Sequence, residues 1–102
     1  MELQNTRIKL AECKMEARIA RVFIDDCISK FIARKLDAAT AAMAKCWCTE
    51  REFQIIDECV QLHGGYGYMT EYPIAQMWAD SRVQRIYAGT NEVMKELIAR
   101  SL

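Results

Sequence analysis

From Leu3 to Lys35 the chain contains neither Gly nor Pro, and apolar residues recur at Ile8, Ala11, Met15, Ile19, Val22, Phe23, Cys27 and Phe31. This three-four spacing predicts one amphipathic helix of about 30 residues, roughly 45 Å long at 1.5 Å per residue. Arg21 with Asp25 and Asp26 with Lys30 lie four apart on its outer, solvated face, each pair worth a few tenths of a kcal/mol. Asp37 is suited to cap a second helix, its carboxylate accepting from the free amides around Ala39 and Thr40. That helix carries its stripe at Ala42, Cys46, Thr49, Phe53, Ile56, Val60 and His63, with small residues in the first half and Trp47 and Phe53 as bulk. It is expected to end at Gly64 and Gly65. Pro73 fits a first helical position and opens a short third helix along Ile74, Met77, Trp78 and Ser81, stopping before Tyr87. After Gly89, Thr90 caps a fourth helix with Val93, Met94, Leu97 and Ile98 on one face and Glu92 near its positive end. The pattern predicts an all-α fold, an antiparallel helical bundle of two long and two shorter helices.

The stripes of the two long helices are wider than the short helices can cover, so self-association is expected. At 102 residues the chain is one domain or part of one. Hydrophobic residues make up 52% and charged residues 27%, and 14 basic residues balance 14 acidic ones. That balance argues against nucleic acid or an anionic membrane as partner. No apolar run approaches the roughly 20 residues of a membrane span, and no signal-peptide block opens the chain, which points to an intracellular protein. Cys13, Cys27, Cys46, Cys48 and Cys59 form an odd set without paired spacing, so free thiols are expected. Cys46 and Cys48 point about 200° apart on a helix, and with His63 as the single histidine no metal site is expected.

Two segments admit both a plain and a chemical reading. Gly64, Gly65, Tyr66 and Gly67 read plainly as a helix end and a tight turn. Chemically, they expose backbone amides that a phosphate or a flat ring can approach closely. Tyr87, Ala88, Gly89, Thr90, Asn91 and Glu92 read plainly as a capped helix start, or otherwise as amides and a hydroxyl aimed at a ligand. His63 has no placed acid, Cys or Ser to make it catalytic and is read as hydrogen-bonded to a backbone carbonyl. Asp80 and Arg82 are read as ion-paired to neighbouring helices. Trp47 is assigned to the core, and Tyr66 and Tyr68 to either core or ligand.

Gln61-Leu-His-Gly-Gly-Tyr-Gly-Tyr68 and Ile86-Tyr-Ala-Gly-Thr-Asn-Glu92, in that order, resemble the C-terminal segment of the acyl-CoA dehydrogenases. The ending from Val93 to Arg100 is similar to the last helix of that family, especially its long-chain branch. The resemblance covers the whole chain at uneven strength. It implies FAD as cofactor and an acyl-CoA substrate, with a carboxylate removing the α proton while hydride leaves the β carbon for the flavin. It implies electron-transfer flavoprotein as redox partner, a homo-oligomer (dimer or tetramer), and the bacterial cytoplasm or mitochondrial matrix as location.

Carried over residue by residue, Gln61, Leu62, His63, Gly64 and Gly65 become contacts to the FAD of a neighbouring subunit. Thr90 and Glu92 line the flavin, and Gly89 borders the acyl thioester. Most of the family has its catalytic glutamate immediately before that glycine, where this chain has Ala88. The long-chain and isovaleryl branches take the base from the first bundle helix instead, so no catalytic residue is assigned within the chain. By the same resemblance the 102 residues are one C-terminal bundle domain that starts at its second helix. The competing reading is a non-enzymatic helical oligomerisation module derived from the family. An oxidase, or an enzyme of other CoA thioesters, also fits the segment.

Overall fold

The computed structural model describes residues 4–102, and the expected helix start at Leu3 lies outside them. Four helices are formed, α1 (Gln4–Ile32), α2 (Ala38–His63), α3 (Pro73–Val83) and α4 (Asn91–Ala99), with a 3₁₀ segment at Gly64–Tyr68 between α2 and α3. There is no strand among the described residues. The expected all-α bundle of two long and two shorter helices is therefore found. Glu16 meets Arg51 at 3.8 Å, and Phe23 shares a cleft with Cys46 and Trp47. Early α1 thus faces late α2, and the long helices run antiparallel along a body of 45 × 24 × 24 Å.

Local chemistry sets the helix ends. Asp37 accepts from the Thr40 amide at 2.9 Å and from its hydroxyl at 2.6 Å. These two bonds hold the Asp37 carboxyl below the usual carboxylate range. Gly64 ends α2 at φ 62°, ψ −141°, donating its amide to the Gln61 carbonyl; with φ positive and ψ far from the helical value, the pair suits glycine. Pro73 begins α3, and the Thr90 hydroxyl accepts from the Val93 amide at 3.2 Å to cap α4. The end of α1 carries no glycine. Arg34 takes the left-handed conformation there, at φ 59°, while the Lys35 amide closes back on the Lys30 carbonyl at 2.7 Å.

α2 is the central element, packed against α1, α3, α4 and the 3₁₀ segment. The buried apolar core is small: Cys27, Ala42, Cys46 and Ile56. Phe53 and Trp78 join α2 to α3, ring centroids 5.6 Å apart, and the Trp78 indole donates to Asp57 at 2.9 Å.

Several expected faces are corrected. Ile8, Met15, Ile19, Val22 and Phe31, expected to face the core, are exposed, Val22 at 64% and Phe31 at 72%. The face of α1 turned to α2 is Cys13, Ala20, Ile24 and Cys27. The helix is apolar on two sides, and α2 can cover one of them. On α4, Val93 and Leu97 are exposed while Asn91, Met94 and Ile98 turn inward. Among the described residues, Asp80 and Arg82 make no interhelical ion pair: Asp80 accepts from Gln76 at 2.8 Å, and the Arg82 guanidinium lies 5.9 Å above the Phe53 ring. Trp47 is only half-buried, lining a cleft with Arg51 stacked on it at 5.1 Å.

Candidate functional site

The glycine turn projects from the end of α2. Gln61, His63, Gly64 and Gly65 are exposed and Leu62 is half-buried. The His63 ring Nδ1 lies 2.7 Å from the Cys59 carbonyl, as expected, although the ring itself is exposed rather than on a covered stripe. Tyr68 is 88% exposed, and Tyr66 tilts against Tyr72 at 5.3 Å.

The three glycines of the turn have different reasons to be glycine. Gly64 has the positive φ. Gly67 is buried, and a Cβ on it would sit 2.5 Å from the Val60 carbonyl oxygen. At Gly65 a Cβ would meet nothing within 4 Å, and its φ is outside the left-handed region. Folding of the described residues therefore accounts for Gly64 and Gly67 but not for Gly65.

The second turn leaves α3 and enters α4 with two successive left-handed residues, Ala88 at φ 55° and Gly89 at φ 90°. Ala88, Gly89 and Glu92 are exposed, and Thr90 is half-buried. Beneath this turn lies a polar network that the two motifs do not announce. Asn91 is 2% exposed. Its Oδ1 accepts from Lys45 at 2.7 Å, and its Nδ2 donates to Glu50 at 2.9 Å and to Thr49 at 3.1 Å. Lys45 also donates to the Gly89 carbonyl at 2.8 Å, and Arg85 pairs with Glu50 at 2.8 Å. Burial alone would push the Glu50 carboxyl up, but the bonds from Asn91 and Arg85 outweigh it and hold the group below its ordinary range. One signal for Asn91 was available. It shares a helical face with Met94 and Ile98, at steps of three and four.

The two turns are not brought together. α4 docks on α2 at Cys46–Glu50, whereas the glycine turn follows His63. The intervening residues of α2 separate them by about 20 Å of helix.

With this geometry in hand, comparison with known proteins is decisive. The model of the acyl-CoA dehydrogenase C-terminal domain matches residues 1–102. The chain belongs to the acyl-CoA dehydrogenase family. Among curated members, the mitochondrial long-chain specific acyl-CoA dehydrogenase of Rattus norvegicus is 51% identical over 100 residues, 98% of this chain and 23% of that protein. Among solved members, an acyl-CoA dehydrogenase from Geobacillus kaustophilus superposes with a TM-score of 0.95 at 46% identity, over 98% of this chain and 26% of the other. Butyryl-CoA dehydrogenase from Megasphaera elsdenii gives 0.93 at 34%, again over 98% and 26%. The chain thus spans about a quarter of the length of the acyl-CoA dehydrogenases it matches. Among the described residues of this family member, no helix is long and apolar enough to cross a membrane.

Proposed function

We propose that these 102 residues serve as the C-terminal helical segment of an FAD-dependent acyl-CoA dehydrogenase acting on long-chain thioesters, contributing flavin contacts and an oligomer interface. The observation that carries this reading is Gly65. It is exposed and a Cβ added to it would meet nothing within 4 Å, yet it is the residue type that costs most to order. A ligand that approaches its backbone closely supplies the missing reason. Gln61, Leu62, His63, Gly64 and Gly65 would hold FAD from the end of α2. Thr90 and Glu92 would meet flavin at the start of α4, where the helix terminus favours negative charge, and Gly89 would border the thioester.

The separation of about 20 Å along α2 favours two half-sites belonging to two flavins, each completed by a neighbouring copy. The exposed stripe of α1 offers surface for such assembly. FAD, when bound, supplies the acceptor for the hydride leaving the β carbon. This chain's part is to present amides and a hydroxyl in a fixed frame. With Ala88 before Gly89, the base belongs elsewhere in the enzyme, on the first bundle helix by the long-chain resemblance. Electron-transfer flavoprotein is the expected redox partner, and the mitochondrial matrix or bacterial cytoplasm the expected location.

The test replaces the corresponding C-terminal quarter of the Geobacillus kaustophilus enzyme with these residues. A yellow oligomer that reduces an electron-accepting dye with long-chain acyl-CoA is expected, while the isolated chain with FAD and acyl-CoA gives no turnover. A folded chimera that retains no flavin would overturn the reading and favour the non-enzymatic oligomerisation module. Dye reduction by the chain alone would place a base within it, Glu92 first.

A further inference from the structure

Lys45 belongs to neither motif, yet its ammonium reaches over from the first third of α2 to the turn before α4. It is half-buried and spends its charge on two neutral oxygens, the Gly89 carbonyl at 2.8 Å and Asn91 Oδ1 at 2.7 Å. Among the described residues it takes part in no ion pair. The turn it grips is strained, because Ala88 carries a Cβ at φ 55° immediately before Gly89 at φ 90°. A left-handed non-glycine residue costs about 1–3 kcal/mol and persists where its surroundings over-determine it.

Hydrogen bonds restrain the turn on both sides. On the entry side, the Tyr87 amide bonds the Val83 carbonyl at 3.1 Å, and the Asn91 amide bonds the Arg85 carbonyl at 3.1 Å. On the exit side, Thr90 caps α4 through Val93. The Gly89 carbonyl between them is held by Lys45. Asn91 is fixed from both ends, with an ammonium on its oxygen and the Glu50 carboxylate on its nitrogen, which sets the orientation of its amide.

We propose that Lys45 is the positioning residue of the Ala88–Gly89 turn: by gripping the Gly89 carbonyl and the Asn91 amide together, it keeps the two left-handed residues in place and, with them, the backbone surface presented to the acyl thioester. The thioester part rests on the function proposed above.

The experiment records backbone amide spectra of the 102-residue chain carrying Lys45→Met, which keeps the aliphatic stem and removes the charge. Resonances of Ala88, Gly89 and Thr90 should shift or broaden while those of α1 and α3 stay in place, and Lys45→Arg should restore them in part. If Lys45→Met does not fold, Lys45→Gln takes its place, and the same three resonances must move. Unchanged turn resonances overturn the proposal, as does Thr90→Ala disturbing Ala88 and Gly89 as much as the lysine variant does. In the flavin-loaded Geobacillus kaustophilus chimera, Lys45→Met should lower kcat on the order of 10-fold, with flavin content kept and KM within about two-fold. An unchanged kcat beside a displaced turn removes the thioester role alone. An unsubstituted chimera without flavin defeats the proposed function and leaves the spectral result standing.

Discussion

Gly65→Val and Gly67→Ala, made separately, should fail in opposite ways. At Gly67 the added carbon would lie 2.5 Å from the Val60 carbonyl oxygen and 3.1 Å from the His63 Cβ. The oxygen belongs to the last turns of α2, so relief requires moving helix backbone. Overpacking of that kind costs about 1–3 kcal/mol, and in a domain of this size each kcal/mol lowers Tm by about 4–8 °C. At Gly65 an added Cβ meets nothing within 4 Å, and for an exposed position the effect on stability should stay within about 0.5 kcal/mol. Circular dichroism melts of the isolated chain measure this half of the contrast. Flavin absorbance after gel filtration of the Geobacillus kaustophilus chimera measures the other: Gly65→Val should release FAD while its melt stays near that of the unsubstituted chimera. A Gly65→Val chain that melts as early as Gly67→Ala would show that folding does account for Gly65. Full flavin retention by Gly65→Val would remove the contact assignment.

Asn91→Ala should cost about 1–3 kcal/mol, because among the described residues Glu50 keeps only Arg85 and Lys45 only the Gly89 carbonyl, leaving two half-buried charged groups short of partners; urea denaturation checks it, and a change below about 0.5 kcal/mol would count against the network. Glu50 and Asp37 are both held below their ordinary carboxylate range. Their contribution is therefore present above the unfolded-state values and is lost as pH falls through the folded ones. Chemical denaturation should show lower stability near pH 3 than near pH 6, with a smaller drop in Glu50→Gln. The exposed stripe of α1 predicts self-association of the isolated chain, weakened by Ile19→Lys. Sedimentation showing a monomer that binds no hydrophobic dye would contradict this.

The caps and breaks were legible in the sequence because each depends on neighbours three or four residues away. Asp37 with Thr40, Thr90 with Val93, Pro73 at a first turn and Gly64 at a helix end needed no knowledge of the rest of the fold. The two motifs that resemble the acyl-CoA dehydrogenases were equally local, being contiguous strings of residues. Periodicity showed that α1 and α2 are helices but not how each is turned. α1 is apolar on two sides, and only the arrival of α2 decided that Ala20 and Ile24 are covered while Ile19 and Val22 are not. The same holds for the polar network. Asn91 looks like an ordinary first-turn residue until Lys45 and Glu50, more than forty positions earlier, close around it. Gly65 and Gly67 are alike in sequence, and only the placement of the Val60 carbonyl separates them. Local hydrogen bonding is written in short spacings, whereas facing, burial and the distance between the two turns depend on contacts that short spacings do not encode.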